Sequence, residues 1–129
     1  MKLLLDTHIW LWYLLADDRL SSELKSLIAN PAIEIWLSPI SIWETVILAE
    51  KRRISLQPNT SKWINLSLQK LETREALLNH EIAILSREIA LPHQDPADRF
   101  IAATAIFYDL TLATMDGNLT GFAGLKTVS

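Results

Sequence analysis

Cysteine is absent from this chain of 129 residues, which excludes disulfide bonds and zinc sites built from thiolates. A reducing cytoplasm is therefore the expected location. Long apolar runs are also missing. The apolar N-terminal segment is interrupted by Asp6 and His8, and two more acids follow at Asp17 and Asp18. An export signal needs a clean apolar stretch, and a membrane helix needs a longer one, so we expect neither.

Positive charge is in deficit, because 12 Lys and Arg residues stand against 15 Asp and Glu residues, for a net charge of −3. Proteins that bind nucleic acid through a broad basic face are usually positive. Any contact with nucleic acid must therefore use local basic groups or metal ions that bridge to phosphates. Lys51, Arg52 and Arg53 form the best local cluster, although a helix end also favours positive charge.

The composition is ordinary for a globular protein, with 50% hydrophobic and 21% charged residues. The length suits one domain over residues 1–129, which can bury a core without disulfide support. Strand patterns at 2–5, 33–37 and 111–114, with shorter ones near 72–76 and at 127–128, alternate with helical patterns. This alternation predicts an α/β fold, a parallel sheet with helices on both faces.

The predicted helices begin at recognisable capping signals. Thr7 is the predicted cap of the first, and Ser21 or Ser22 caps a second helix that ends near residue 29. A third begins at Ser38-Pro39 and runs to about residue 53, with Ile40, Trp43 and Ile47 on one face. Further helices are predicted from Pro58-Asn59, over 78–89 and over 98–108.

Four acids fall where the carboxyl ends of parallel strands meet the starts of the following helices. Asp6 ends the first strand, and Asp116 follows the strand at 111–114. Glu44 lies in the second turn of the third helix, and Asp98 lies at the start of the last helix. These positions share one edge of a parallel sheet, where binding sites form, so we expect the four side chains to converge in one crevice.

Each acid also has a purely structural interpretation. Asp6 could help to cap the first helix, and Ser41 with Glu44 fits the spacing of a capping box. Asp98 would complement the helix dipole, and Asp116-Gly117 is a common turn pair. The chemical interpretation is that Mg²⁺ or Mn²⁺ prefers oxygen ligands. A cation held in this way can activate water and stabilise charge on a phosphodiester.

The residues around these acids resemble the motifs of PIN domains, specifically the VapC-type toxin ribonucleases of bacterial toxin–antitoxin pairs. The motifs are LLLDTHIWLW with Asp6, SPISIWE with Glu44, DPADRFIAATA with Asp98 and LATMD with Asp116, and the resemblance covers nearly the whole chain. It implies a parallel sheet of four to five strands in an α/β/α sandwich. It also implies that the four acids are the catalytic metal ligands, and that the protein cleaves RNA with Mg²⁺ or Mn²⁺, forms a homodimer and is inhibited by a cognate antitoxin.

Other functions compete with this one. Phosphatases with an aspartate nucleophile need a second Asp two places after the first, where this chain has His8. Receiver domains need a phosphoacceptor Asp and a late Lys that do not align, and the chain has neither a P-loop nor a G-x-S-x-G motif. A PIN nuclease that is not a toxin, an inert RNA-binding scaffold and a DNA-directed nuclease stay open.

Five further polar residues lie near the acids in sequence. Thr7 and Thr114 could orient carboxylates or water, or could serve in capping and turns. Asp95 is interpreted mainly as a helix cap. His93 is interpreted as an exposed loop residue, and Arg99 as a member of an ordinary surface ion pair.

Overall fold

The computed structural model describes residues 1–129, and its frame is a sheet of five strands that all run parallel. The strands are β1 (Lys2–Leu5), β2 (Glu34–Leu37), β3 (Arg74–Glu75), β4 (Thr111–Ala113) and β5 (Thr127–Val128). Their spatial order is β3-β2-β1-β4-β5, so β1 is central. The predicted α/β class and the parallel sheet of four to five strands are confirmed.

Six helices cover the two faces of the sheet. They are α1 (Thr7–Leu14), α2 (Ser22–Ala29), α3 (Pro39–Glu50), α4 (Thr60–Lys70), α5 (His80–Glu88) and α6 (Pro96–Phe107). None of them combines the length and the apolar character that crossing a membrane requires.

Strand β1 is apolar on both sides, which explains the covering of both faces. Leu3 and Leu5 join a buried cluster with Trp10 of α1, whereas Leu4 joins a second cluster with Ile101 of α6. Buried alanines on α6, such as Ala102, let this helix lie close to the sheet. The resulting α/β/α sandwich is the expected architecture.

The starts of two helices differ from the sequence prediction. Asp6 rather than Thr7 is the N-cap of α1, since the Asp6 carboxylate accepts a hydrogen bond from the Thr7 backbone N–H. Helix α6 begins at Pro96 rather than Asp98, and the predicted cap Asp95 is confirmed, because its side chain accepts a hydrogen bond from the backbone N–H of Asp98.

Helices α3 and α5 are shorter than predicted. Helix α3 ends at Glu50, and Arg52 then adopts a left-handed backbone with φ of 57°. Helix α5 begins at His80, since Asn79 caps it. Trp43, which shares one face of α3 with Ile40 and Ile47, is 54% exposed. The buried residues of this helix are Ser41 and Thr45.

The order of the strands creates a crevice beside β1. From β1 the chain proceeds to β2 and β3 on one side and then returns to β4 on the other side. The chain therefore leaves β1 toward one edge of the sheet and leaves β4 toward the other edge, and a crevice opens between the carboxyl ends of these two strands. Ligands bind at such a switch point in open α/β sheets.

Candidate metal centre

A cavity of about 340 Å³ opens at the carboxyl ends of β1 and β4, and carboxylates form much of its lining. The four acids singled out in the sequence all line this cavity. The complete lining is Asp6, His8, Ile9, Trp12, Arg19, Glu44, Asp95, Asp98, Met115 and Asp116.

Asp6 is buried at the end of β1 and is held through both of its carboxylate oxygens. Oδ1 accepts from the backbone N–H of Thr7 at 2.8 Å, and Oδ2 accepts from the Thr114 hydroxyl, also at 2.8 Å. Burial raises the pKa of Asp6, and these two hydrogen bonds oppose the rise. Asp6 therefore caps α1 and lines the cavity at the same time, so the two interpretations of this residue are compatible.

Glu44 projects from the second turn of α3 and accepts a hydrogen bond from the Thr7 hydroxyl. The predicted alternative, a capping box with Ser41, is wrong, because Ser38 caps α3 and the Ser41 hydroxyl lies 2.9 Å from that of Thr7. Burial raises the pKa of Glu44, the Thr7 hydrogen bond lowers it, and the nearby charge of Asp98 raises it further.

Asp98 lies in the first turn of α6, where its Oδ2 is 2.6 Å from Nε2 of His93. Burial raises the pKa of Asp98 to about 6; the hydrogen bond with His93 opposes this rise, and the charges of Asp6 and Asp95 add to it. Asp95 itself is exposed and serves as the cap of α6.

Asp116 lies in the turn after β4. Its backbone N–H donates to the Thr114 hydroxyl at 3.1 Å, and its Oδ1 accepts from the Asn118 N–H at 2.9 Å. Its Oδ2 lies 3.9 Å from Nε2 of His93. One ligand atom from each of His93, Asp98 and Asp116 lies within 4.8 Å of the other two, close enough to share a metal ion.

The interpretation of His93 as an exposed loop residue is wrong, because its half-buried ring contacts two of the acids. The sequence signal that His93 lies near the acids is its position in the loop that leads into α6, five residues before Asp98. Sequence spacing could not show how far the loop folds back toward the end of β4.

The interpretation of Arg99 as a surface residue is also wrong, since it is only 4% exposed. It forms no salt bridge. Its guanidinium instead donates to five backbone carbonyls, those of Ser86, Arg87, Ile89, Leu91 and His93. A guanidinium has five N–H donors in a fixed plane. Arg99 therefore ties the end of α5 and the following loop to α6, and it anchors the backbone of His93.

No lysine or arginine forms an ion pair with any of the four acids; their only ionisable partner within salt-bridge distance is His93. The pKa values of Asp6, Glu44 and Asp98 are all raised. Several carboxylates without a cationic partner are a costly arrangement in a folded protein. The donor set fits a hard divalent cation, which prefers oxygen ligands and would remove this cost.

The sequence is similar to a known protein family and to a ribonuclease over most of its length. A family model described as the PIN domain matches residues 3–125. Ribonuclease VapC22 of Mycobacterium tuberculosis (strain ATCC 25618 / H37Rv) is 34% identical over 119 residues, which are 90% of this chain and 88% of the relative.

Solved structures share the fold over nearly the full chain. VapBC2 from Rickettsia felis, bound to a DNA fragment from their promoter, aligns with a TM-score of 0.71 and 19% identity over 99% of this chain and 98% of that chain. A toxin–antitoxin complex from Klebsiella pneumoniae aligns with a TM-score of 0.66 and 24% identity over 98% and 95%. At these identities the structures show the fold alone.

Proposed function

The chain belongs to the PIN domain family, and on that premise we propose that it is a metal-dependent endoribonuclease and the toxin of a toxin–antitoxin pair. The observation that carries the proposal is the convergence of Asp6, Glu44, Asp98 and Asp116 in one cavity without a cationic partner. A site that costs stability in this way is retained when chemistry requires it.

We propose that these four acids hold Mg²⁺ or Mn²⁺, with His93 as an additional donor. When bound, such a cation activates a water molecule and stabilises the charge that develops on a phosphodiester. The imidazole nitrogen favours Mn²⁺ over Mg²⁺, because Mg²⁺ prefers oxygen ligands more strictly.

The protein holds two of the acids in place before any substrate arrives. Thr7 and Thr114 fix both oxygens of Asp6, and the Thr7 hydroxyl also fixes Glu44. Thr7 thereby links the acid that ends β1 to the acid on α3. Groups fixed in this way need no reorganisation during the reaction, which is a main source of catalytic power in enzymes.

RNA is favoured over DNA as the substrate because the curated relative is a ribonuclease with 34% identity over 90% of this chain. The presence of all four acids argues against an inert scaffold. Purified protein should cleave single-stranded RNA when Mg²⁺ or Mn²⁺ is added, and EDTA should stop the cleavage. Equal cleavage with and without EDTA, or none with either metal, would overturn the proposed activity.

A toxin needs a protein inhibitor, and several structural neighbours were solved as toxin–antitoxin complexes. We therefore propose a cognate antitoxin as a partner of this chain and the cytoplasm, where RNA is accessible, as its place of action. Expression of this chain alone should slow growth, and co-expression of the adjacent small reading frame should restore it. Normal growth with a demonstrably active nuclease would favour a PIN nuclease that is not a toxin.

A further inference from the structure

Arg19 is the only lysine or arginine that lines the carboxylate cavity. It lies in the loop between α1 and α2, and its side chain is 68% exposed. An RNA strand must bring phosphates into a cavity lined by five carboxylates. Because carboxylates repel phosphates, the other side chains that line the cavity must hold the RNA strand.

The guanidinium of Arg19 is held in a fixed plane by Asp17. The Asp17 carboxylate accepts from Nε of Arg19 at 3.1 Å and from Nη2 at 2.7 Å, and it also accepts from the Arg19 backbone N–H at 2.9 Å. Such two-point pairing fixes orientation as well as position. Nη1 donates no hydrogen bond within the chain and stays free for a ligand.

The same guanidinium stacks on an aromatic wall of the cavity. Its central carbon lies 4.9 Å from the centre of the Trp12 ring. On α1, the Trp12 ring lies 5.8 Å from that of His8. Trp12 also packs against the buried cluster between α1 and the sheet, which anchors the stack. All three side chains line the cavity.

We propose that Trp12 and Arg19 form a stacking platform that holds an unpaired base of single-stranded RNA beside the carboxylate cavity. This inference rests on the proposed ribonuclease function. Unpaired bases stack on aromatic rings and on guanidinium planes, whereas bases within a duplex are inaccessible to such contacts.

The pairing with Asp17 favours a base over a phosphate as the group that the platform holds. The carboxylate cancels much of the positive charge of Arg19, so a phosphate alone would gain little there. The Asp17 carboxylate pairs with the edge of the guanidinium. The flat face of the guanidinium that points away from Trp12 therefore stays available for stacking. A fixed and nearly neutral plane suits stacking, and Nη1 can donate to the edge or the phosphate of the same nucleotide.

The first test measures binding of a short, labelled single-stranded RNA by fluorescence anisotropy in Ca²⁺, with RNA integrity checked on a gel. Arg19→Ala and Trp12→Leu should each weaken binding roughly fivefold to one-hundredfold, the range of a lost base-stacking contact. Trp12→Phe, which keeps an aromatic ring and more of the packing volume than Leu does, should retain most of the affinity. Arg87→Ala and Phe107→Leu are matched controls at exposed positions outside the cavity, and they should bind as wild type does.

Asp17→Ala separates stacking from simple charge attraction, because the two mechanisms predict opposite signs. If Arg19 acted only as a cation, removal of the Asp17 charge would strengthen RNA binding. If Arg19 acts as a fixed plane, release of its side chain weakens binding, and this is the expected result. Tighter RNA binding by Asp17→Ala would overturn the platform.

Cleavage kinetics keep this inference distinct from the proposed function. With Mg²⁺ or Mn²⁺, Arg19→Ala should raise KM for RNA while kcat changes by less than about threefold, the pattern of a lost binding contact. No cleavage by wild type would remove the proposed function itself. Cleavage by wild type together with unchanged RNA affinity in Arg19→Ala and Trp12→Leu would remove only the platform. The platform would also be removed if Arg19→Ala and Trp12→Leu bound RNA normally and failed only in their response to the antitoxin. Trp12 and Arg19 would then belong to a protein interface.

Discussion

Asp98→Asn should make the protein more stable when no metal is bound, although it alters a residue of the proposed centre. Asn has nearly the same shape as Asp and can still form a hydrogen bond with His93, so little packing is lost. The substitution removes one negative charge from a cavity that Asp6 and Asp95 also line. A residue that serves only the helix dipole would give the opposite result.

The expected size follows from the pKa of Asp98, which rises from 3.8 to about 6 in the folded protein. Each pKa unit corresponds to about 1.4 kcal/mol, so ionised Asp98 destabilises the folded state by at most about 3 kcal/mol. Water in the open cavity reduces this to about 1–2 kcal/mol. Loss of charge at the start of α6 subtracts about 0.3–1 kcal/mol. We expect a net gain of about 1 kcal/mol, or about 3–5 °C in Tm.

The gain should depend on pH with a defined sign. Because the pKa of Asp98 is higher in the folded than in the unfolded state, the folded protein binds more protons between the two values. Wild-type stability therefore falls as pH rises from about 4 to about 6, whereas the Asn variant lacks this contribution. The advantage of Asp98→Asn should be full at pH 7.5 and mostly lost at pH 4.

Thermal melts in EDTA and in excess Mg²⁺ measure these effects. Mg²⁺ should stabilise wild type by mass action and Asp98→Asn much less. Glu81→Gln is the matched control, since it removes one exposed charge from the first turn of α5, outside the cavity, and should therefore show only the loss of helix-dipole stabilisation. Destabilisation by Asp98→Asn in EDTA, or equal stabilisation of both proteins by Mg²⁺, would refute the reasoning and leave Asp98 as a helix-dipole residue.

Three further predictions concern residues around the centre and on the surface. Arg99→Met keeps the volume but leaves five carbonyls without their donor, so urea unfolding should show a loss of about 3–5 kcal/mol; wild-type stability would contradict the role assigned to Arg99. His93→Gln should weaken Mn²⁺ binding in calorimetry about tenfold or more and Mg²⁺ binding less, whereas equal losses for both metals would exclude a nitrogen ligand. The protein should be a dimer in light scattering at micromolar concentration, because apolar helix residues such as Trp43 and Ile84 are exposed; a monomer would contradict this.

The sheet and the convergence of acids could be predicted because both depend on local patterns. Short apolar strands followed at once by helix starts place Asp6 and Glu44 at one edge of a parallel sheet, and Asp98 joins them from the start of α6, which follows α5. From the sequence, capping α1 and lining the cavity are alternative roles for Asp6. The structure shows both, since a helix start at a strand end is also the wall of the crevice.

His93 and Arg99 could not be placed from sequence because their positions depend on long-range packing. Arg99 is buried only because the end of α5 and the following loop present five carbonyls to it. The inward position of His93 depends on that same loop. Sequence pattern favours a surface location for charged residues, and it does not indicate which carbonyls a folded loop will expose.

The most direct test of the proposed centre is the single-turnover rate of RNA cleavage by Asp6→Asn in saturating Mg²⁺ or Mn²⁺. Asp18→Asn is the control, an exposed acid outside the cavity. With folding of both variants verified by circular dichroism, Asp6→Asn should cleave at least about a hundredfold more slowly than wild type, and Asp18→Asn should match wild type. Cleavage by folded Asp6→Asn at the wild-type rate would contradict the assignment of this carboxylate cavity as the catalytic metal centre.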